Sequence, residues 1–385
     1  MPAARWIILG NAENRRVTLF QEALVAQGRA PAAVVPWTEF LQDPAALGRF
    51  DDVPSVLRIE SFGESFEVEK LLLLRGAAEA PRQARLNPQR VRRLMERRGE
   101  ILAPRQAHLG FLAALRDIEK ILKERPSWRV LSPPSAIADL FDKRITSRMY
   151  ERSGVPVPPR IEGIESLEQL RAAVAERDWE SVFVKLSSGS SASCLGIYRP
   201  GTSGDEFLTT VEMARDGWFN NLNLQRITSP PRIEEVMGYL LEEGVQIERA
   251  LPKARLAGEN FDCRVVVISG EPAFTVVRQS SHPITNLHLG GRRGDLEAFT
   301  RAVPTDLYEA AMESCRRIAR AHGCLAVGVD LMYSEGFEGH FVLEGNAFGD
   351  LLPNLQRDGL SVYEWEIREV VDGRPRPPPD QPLLS

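Results

Sequence analysis

The sequence predicts an α/β protein, with a doubly wound N-terminal domain followed by two mixed α+β units. Three observations predict it. The chain opens on a strand–helix–strand unit over residues 5–35. Residues 262–278 read as one long β-hairpin around Ser269-Gly270-Glu271-Pro272. Near the C-terminus two apolar runs, Ala326-Val327-Gly328-Val329-Asp330-Leu331 and Phe341-Val342-Leu343-Glu344-Gly345-Asn346, read as buried strands joined by a turn at Gly336 and Gly339.

In the first unit, residues 5–10 are apolar and end on Gly10-Asn11. Residues 16–27 have helical spacing closed by Gly28, and 32–35 read as a second strand. No GxGxxG spacing is present, so this is not a dinucleotide fingerprint. Residues 56–59 form a further strand. It leads into Arg58-x-Glu60-Ser61 and Gly63-Glu64, a loop at the end of an open sheet where ligands bind in such domains, or a plain polar turn. Helices are expected over 67–79, 88–98 and 108–123. The second is arginine-rich and reads as a solvated face balanced by nearby acids rather than a nucleic-acid patch. A strand at 130–131 and Pro133-Pro134 close this domain, set at 1–133.

The second unit, 134–245, begins with a helix pair over 135–154 that carries Asp142-Lys143. The prolines of Val155-Pro156-Val157-Pro158-Pro159 then enforce an extended connector. After a helix at 167–177, Ser181–Leu186 reads as a strand and Ile197–Arg199 as its return. Between them lies a loop of small residues that includes Ser188, Gly189, Ser190 and Ser191. Such a loop can bring backbone N–H groups against phosphate oxygens, and Lys185 can set an ammonium over the same phosphates. It is not a Walker A loop, since no GKS or GKT follows, and a flexible surface hairpin has the same composition. Residues 201–231 exceed what a connector needs. They either shape an acceptor site or form a peripheral insertion, the latter being preferred. A helix follows at 233–243.

The third unit, 246–372, opens on a strand through Gln246, Glu248, Arg249 and Ala250. In the hairpin, antiparallel pairing brings Arg264 and Arg278 toward the same end. The loop 280–295 holds His282, Asn286, His288 and Gly290-Gly291, and 307–322 reads as a helix. The two histidines could assist amine deprotonation, although loop histidines commonly do nothing of the kind. Side chains alternate along a strand, so Glu344 and Asn346 share a face that Asp330 joins if the strands pair. Two carboxylates and an amide oxygen suit Mg²⁺, which draws its remaining ligands from water and substrate phosphates; the same residues also fit a solvated hairpin face. The proline-rich tail 373–385 is expected to be disordered.

Composition narrows the function. At 385 residues two or three domains are expected. A net charge of −5 argues against a general nucleic-acid binder, and no apolar run is long enough to span a bilayer. The N-terminal apolar run is too short for a signal peptide, so a cytoplasmic location is expected. Cys194, Cys263, Cys315 and Cys324 show no zinc spacing and read as reduced thiols. Of 48 basic residues only Lys70, Lys120, Lys123, Lys143, Lys185 and Lys253 are lysine, so a lysine kept against that bias draws attention.

Taken in order, Lys143 with its downstream GVPVPP, Val184-Lys185 with a small-residue loop, Gln246-x-Glu248, Asp262-x-Arg264, Arg278, Asn286, Asp330 and Glu344-x-Asn346 resemble the ATP-grasp superfamily. The nearest flavour is its carboxylate–amine ligases of the ribosomal-protein glutamate ligase and glutathione synthetase type. The resemblance covers about two-thirds of the chain and departs from the family in a glycine-poor loop and in Gly345, where relatives commonly carry Val or Ile. It implies ATP as substrate and two Mg²⁺ ions, with Mn²⁺ as an alternative. Lys143, Lys185 and Ser188, Gly189, Ser190 and Ser191 would hold phosphates, and Gln246, Glu248, Arg249 and Ala250 would form the adenosine hinge. Asp330, Glu344 and Asn346 would bind metal, and Arg264, Arg278 and Asn286 would act in catalysis. The implied reaction joins a small-molecule or peptide acid to an amine through an acyl phosphate, releasing ADP. A phosphotransferase of the same fold and a non-catalytic nucleotide-binding module are the alternatives. A homodimer is compatible with this reading.

Overall fold

The computed structural model describes residues 4–63, 65–188, 194–349, 352 and 354–373. Strands β1 (Arg5–Leu9), β2 (Ala33–Val35) and β3 (Ser55–Ile59) pair in parallel. The next strand, β4 (Glu100–Ile101), leaves this sheet, and β5 (Trp128–Val130) completes it in the order β2-β1-β3-β5. The first helix, Arg15–Ala26, starts where the Asn14 side chain accepts the Arg16 N–H. On the other face, helices Phe66–Glu79 and Pro104–Lys123 cross at Gly76 and Gly110. A Cβ on either glycine would stand 1.9 Å from the other helix's backbone carbonyl oxygen, so only glycine permits this crossing.

The expected helix 88–98 is confined to Pro88–Arg92. Val91 is buried with Leu73, Leu86 and Ala103, and Leu94 packs against them, but Met95 is 78% exposed, so the apolar contact is too short to carry the helix further. The chain turns at Gly99 (φ +79°) and enters β4 instead, which pairs with a strand of the second unit.

That second sheet has seven strands in the order β4-β10-β9-β8-β7-β11-β6. Its members are β6 (Arg160–Ile161), β7 (Val182–Leu186), β8 (Leu195–Arg199), β9 (Glu206–Ala214), β10 (Gly217–Ile227) and β11 (Val245–Arg249). Residues 201–231 are therefore not an appendage: β9 and β10 continue the sheet. Helix Pro230–Glu243 covers it with Ile233, Val236, Met237 and Leu240.

The third sheet runs β15-β14-β13-β16-β17, with β12 (Arg255–Leu256) paired to β13. Its strands are β13 (Glu259–Ile268), β14 (Glu271–Ser280), β15 (Arg292–Arg293), β16 (Ala326–Tyr333) and β17 (His340–Asn346). The β13–β14 turn uses Ser269 and Gly270, both at positive φ, as a two-residue hairpin whose twist matches its strands requires. Helix Thr305–His322 packs on β13, β14, β16 and β17 through Ala311, Cys315 and Ile318.

Two segments cross the expected boundaries. β4 belongs to the second sheet, and helix Val362–Val371 packs Tyr363, Ile367 and Val370 against Trp6, Ile8 and Phe20 of the first domain. The expectation that β11 begins the third unit also fails at the sheet level, because β11 lies between β7 and β6. Most of the tail, residues 374–385, lies outside the described residues.

Candidate active site

The site lies where the second and third sheets face each other. A cleft of about 850 Å³, counted out to its mouth, opens between β7, β8 and β11 on one side and β13, β14, β16 and β17 on the other. One part of its wall is apolar, with Pro158, Phe183, Leu195, Ile284, Met332 and Leu343. The rest carries Lys143, Lys185, Lys253, Asp262, Arg278, Asp330 and Glu344.

Strand register assembles the charged part. Arg264 of β13 stands opposite Asp330 of β16, and Asp330 stands opposite Glu344 of β17, so three charged residues form one row across three strands. Arg278 of β14 faces Asp262 of β13 one step along. The Arg278 Nε donates to Asp262 at 2.7 Å, while its terminal nitrogens lie 3.3 and 3.4 Å from Asp330. Arg264 grips Asp330 through Nε and, at 3.0 Å, through a terminal nitrogen. Lys253 donates to Asp262 at 2.9 Å and to Thr285 at 2.8 Å, and the Thr285 hydroxyl also donates to Asp262. The loop that carries Asn286 is thereby tied to the cleft floor.

Opposing charges set the protonation here. Burial would raise the Asp262 carboxyl, but Arg278 and Lys253 outweigh it and hold it well below the usual carboxylate range. Asp330 follows the same logic, with burial outweighed by Arg264 and Arg278. Burial pulls the Lys253 ammonium down, and Asp262 only partly restores it. Both carboxylates are therefore anionic at neutral pH.

The lysines sit at element ends. Lys143 begins helix Lys143–Arg152, its N–H donates to Ser187 at 2.9 Å, and its ammonium lies 3.4 Å from Glu344. Lys185 pairs with Glu248 across β7 and β11.

Of the residues singled out in the sequence, Lys143, Lys185, Glu248, Arg249, Arg278, Asn286, Asp330 and Glu344 line the cleft. The others do not. Arg264 stands behind Asp330. Gln246 is turned toward helix Lys143–Arg152, donating to Ser147 at 3.1 Å and to Glu248 at 3.0 Å. Ser188 and Gln246 line a neighbouring pocket. The backbone N–H groups of Arg249 and Ala250 are already bonded to Pro159 and Ser181. The Asn346 side-chain N–H donates to the Gly328 carbonyl at 3.3 Å. Gly189, Ser190 and Ser191 lie outside the described residues, as does Glu64. Arg58 and Glu60 are buried in the first domain rather than in the cleft. His282 is exposed, and the side chain of His288 lies outside the described set.

Sequence reasoning assigned no role to Lys253, Asp262 or Thr285. The scarcity of lysine was a usable signal, since three of the chain's six lysines meet in this cleft. Thr285 gave none.

The donor set admits a hard cation. Among the described residues no group of three or more His, Cys, Asp or Glu could hold a metal unaided. Asp330 and Glu344 supply two adjacent carboxylates, and the Asn346 amide, whose nitrogen is held by Gly328, has its oxygen to offer. Such a partial shell fits Mg²⁺, which takes phosphate oxygens and water as its other ligands.

Solved structures share this architecture. The ATP-grasp ligase PsnB, complexed with a phosphomimetic variant of its minimal precursor, Mg and ADP, matches with a TM-score of 0.52 at 16% identity, over 96% of this chain and 98% of that one. The macrocyclase MdnC from Microcystis aeruginosa, bound with precursor peptide MdnA, gives 0.54 at 12% identity over 96% and 99%. D-alanyl-alanine synthetase A from Vibrio cholerae gives 0.53 at 12% identity over 97% and 99%. The chain has the ATP-grasp fold. Among curated sequences, a stretch of 129 residues is 30% identical to the mitochondrial methylcrotonoyl-CoA carboxylase subunit alpha of Oryza sativa subsp. japonica, covering 33% of this chain and 18% of that protein. The match thus spans less than a fifth of that relative's length. No family model matches the chain.

Proposed function

We propose that the protein is an ATP-dependent carboxylate–amine ligase that forms an amide through an acyl phosphate and releases ADP and phosphate. The observation that carries this is the cleft itself: an apolar slot beside a row of lysine, arginine and carboxylate groups, on the ATP-grasp fold. The apolar wall of Phe183, Met332 and Leu343 would take the adenine, with Glu248 and its neighbours at the hinge. Lys143 and Lys185 would meet the phosphates, trading their present carboxylate partners for phosphate oxygens.

Asp330, Glu344 and Asn346 would hold Mg²⁺, which when bound would supply positive charge to offset that of the phosphates. The rest follows from the chain's own groups. A substrate carboxylate oxygen attacks the γ-phosphorus, and the bond to ADP breaks. Arg278, fixed at Nε by Asp262, directs its terminal nitrogens to where charge builds on the transferring group. The amine then attacks the acyl carbon, the C–O bond to phosphate breaks, and the amine loses a proton. No protein nucleophile is required, so catalysis is positioning and electrostatics. PsnB and MdnC in complex with precursor peptides favour a peptide among the substrates. A phosphotransferase would use the same cleft without needing an amine.

Thermal unfolding with and without Mg²⁺-ADP tests the reading first. Nucleotide at about 100 times its dissociation constant adds roughly 2.7 kcal/mol, a shift of a few degrees. The shift is expected in wild type and is lost in Lys185→Ala; its absence from wild type overturns the proposal. Amine-dependent ADP release then separates ligase from phosphotransferase. Asp330→Ala and Glu344→Ala should abolish that release, and normal turnover in either would remove the metal assignment.

A further inference from the structure

We infer that the arginine-rich segment 82–98 is a docking surface for an acidic polypeptide. Seven arginines and one glutamate fall in these residues, in a chain whose net charge is −5. Two of the arginines anchor the segment. Arg85 pairs with Glu242, lies 2.7 Å from Glu243 and sits over the Tyr239 ring. Arg97 lies 3.0 Å from Asp216 and stacks over Phe219. Leu86 and Val91 are buried beneath, and the adjoining β4 is paired to β10. The segment is thus a held surface rather than a loose loop.

The other five behave differently. Arg82, Arg90, Arg92, Arg93 and Arg98 are exposed, and their side chains make no hydrogen bond or ion pair among the described residues. Some other surface arginines find carboxylates, as Arg148 and Arg160 both find Glu162, but here five without one among the described residues crowd into a single short segment. Arginine presents a planar fork matched to a carboxylate, so a run of open forks is complementary to a run of acidic side chains. Beside them Met95, 78% exposed, protrudes further than any other large apolar side chain among the described residues. A flexible thioether of this kind suits an apolar side chain of a partner.

These features favour a peptide over a nucleic acid. The segment contains no Phe, Tyr or Trp on which a base could stack, and its open guanidinium forks match carboxylates one for one. The inference does not depend on the chemistry of the cleft.

The test uses the full chain, a fluorescent glutamate-rich peptide carrying leucines, and a serine-for-glutamate control. Wild type should bind the acidic peptide in a salt-sensitive manner and ignore the control. Combined Arg90→Glu, Arg92→Glu and Arg93→Glu should weaken binding roughly tenfold or more, and Met95→Ala a few-fold. Both variants should keep the wild-type unfolding midpoint, since none of these side chains is buried. Failure of wild type to bind the peptide, or equal binding by the triple variant, overturns the inference. So does single-stranded DNA or a phosphatidylglycerol vesicle binding as tightly as the peptide and losing affinity in the same variant.

Discussion

Two buried ion networks in this molecule use the same side chains to opposite ends. In the first domain Arg58 is 6% exposed, donates to Glu60 at 2.9 Å, pairs with Glu366 and lies 4.4 Å from the centre of the Phe20 ring. Around the cleft, Arg264 and Arg278 engage Asp330, and Arg278 and Lys253 engage Asp262. The Arg58 network joins β3 to helix Val362–Val371 across 308 residues of sequence and packs against rings on both sides. The cleft network borders open volume, with Lys143 and Lys185 at the same wall. Cations that can exchange a carboxylate for a phosphate can bind a ligand; Arg58 and Glu366 border only a small enclosed pocket and hold the fold. The chemistry of the groups is shared, and access to space separates their roles.

The largest effect that sharpens this contrast is on catalysis. Arg278→Ala should lower the rate of ADP release by roughly 10²–10³-fold, the scale of losing one preorganised charge-stabilising donor. Arg58→Met should leave activity per folded molecule unchanged but destabilise the fold by roughly 3–5 kcal/mol, because it strands two buried carboxylates. Loss of turnover in Arg58→Met with an unchanged denaturation midpoint would break the comparison.

Acid dependence is a smaller effect, and its sign differs between the networks. Asp262 and Asp330 bind protons less tightly in the folded chain, despite burial, because of their arginine partners. Their stabilising contribution is complete above the ordinary Asp value, about 3.9, and fades as pH falls below it. Glu366 is the reverse: burial raises its carboxyl despite Arg58. Its contribution therefore diminishes as pH rises from the ordinary Glu value, about 4.3, through the raised one. Denaturant unfolding followed over about pH 3 to 7 should show a flatter acid limb in Asp262→Asn and a flatter upper limb in Glu366→Gln. Identical profiles for the two variants would mean the networks titrate alike. The smallest effect is expected at the exposed His282, where His282→Ala should leave the pH profile of ADP release unmoved; a lost acidic limb would make it a base.

Much of this was legible in the sequence. Alternation along 326–331 and 341–346 placed Asp330 and Glu344 on paired strands, and the observed register sets them opposite each other. The hairpin around Ser269-Gly270 was readable from its turn chemistry. Asn346 was readable only as a strand position; its bond to Gly328 depends on a strand 18 residues away. Gln246 shares a strand face with Glu248 yet serves the helix behind, because Ser147 reaches it from another element. The helix expected at 88–98 is cut to Pro88–Arg92, its apolar contact limited to Val91 and Leu94, and Val362–Val371 had no reading until Trp6 and Phe20 supplied its partner.

The sequence by itself determined the chemical types available: scarce lysines, a small-residue loop, and acids at the ends of apolar strands. Local alternation and turn preferences are encoded within a few residues, which is why these could be read directly. Only the tertiary structure decided that Lys253, Asp262 and Thr285 lock together, that Arg264 stands behind Asp330 rather than in the cleft, and that β4 abandons its own domain. Those outcomes come from pairing and packing between segments far apart in the chain, where burial and the need to satisfy each charge override local preference.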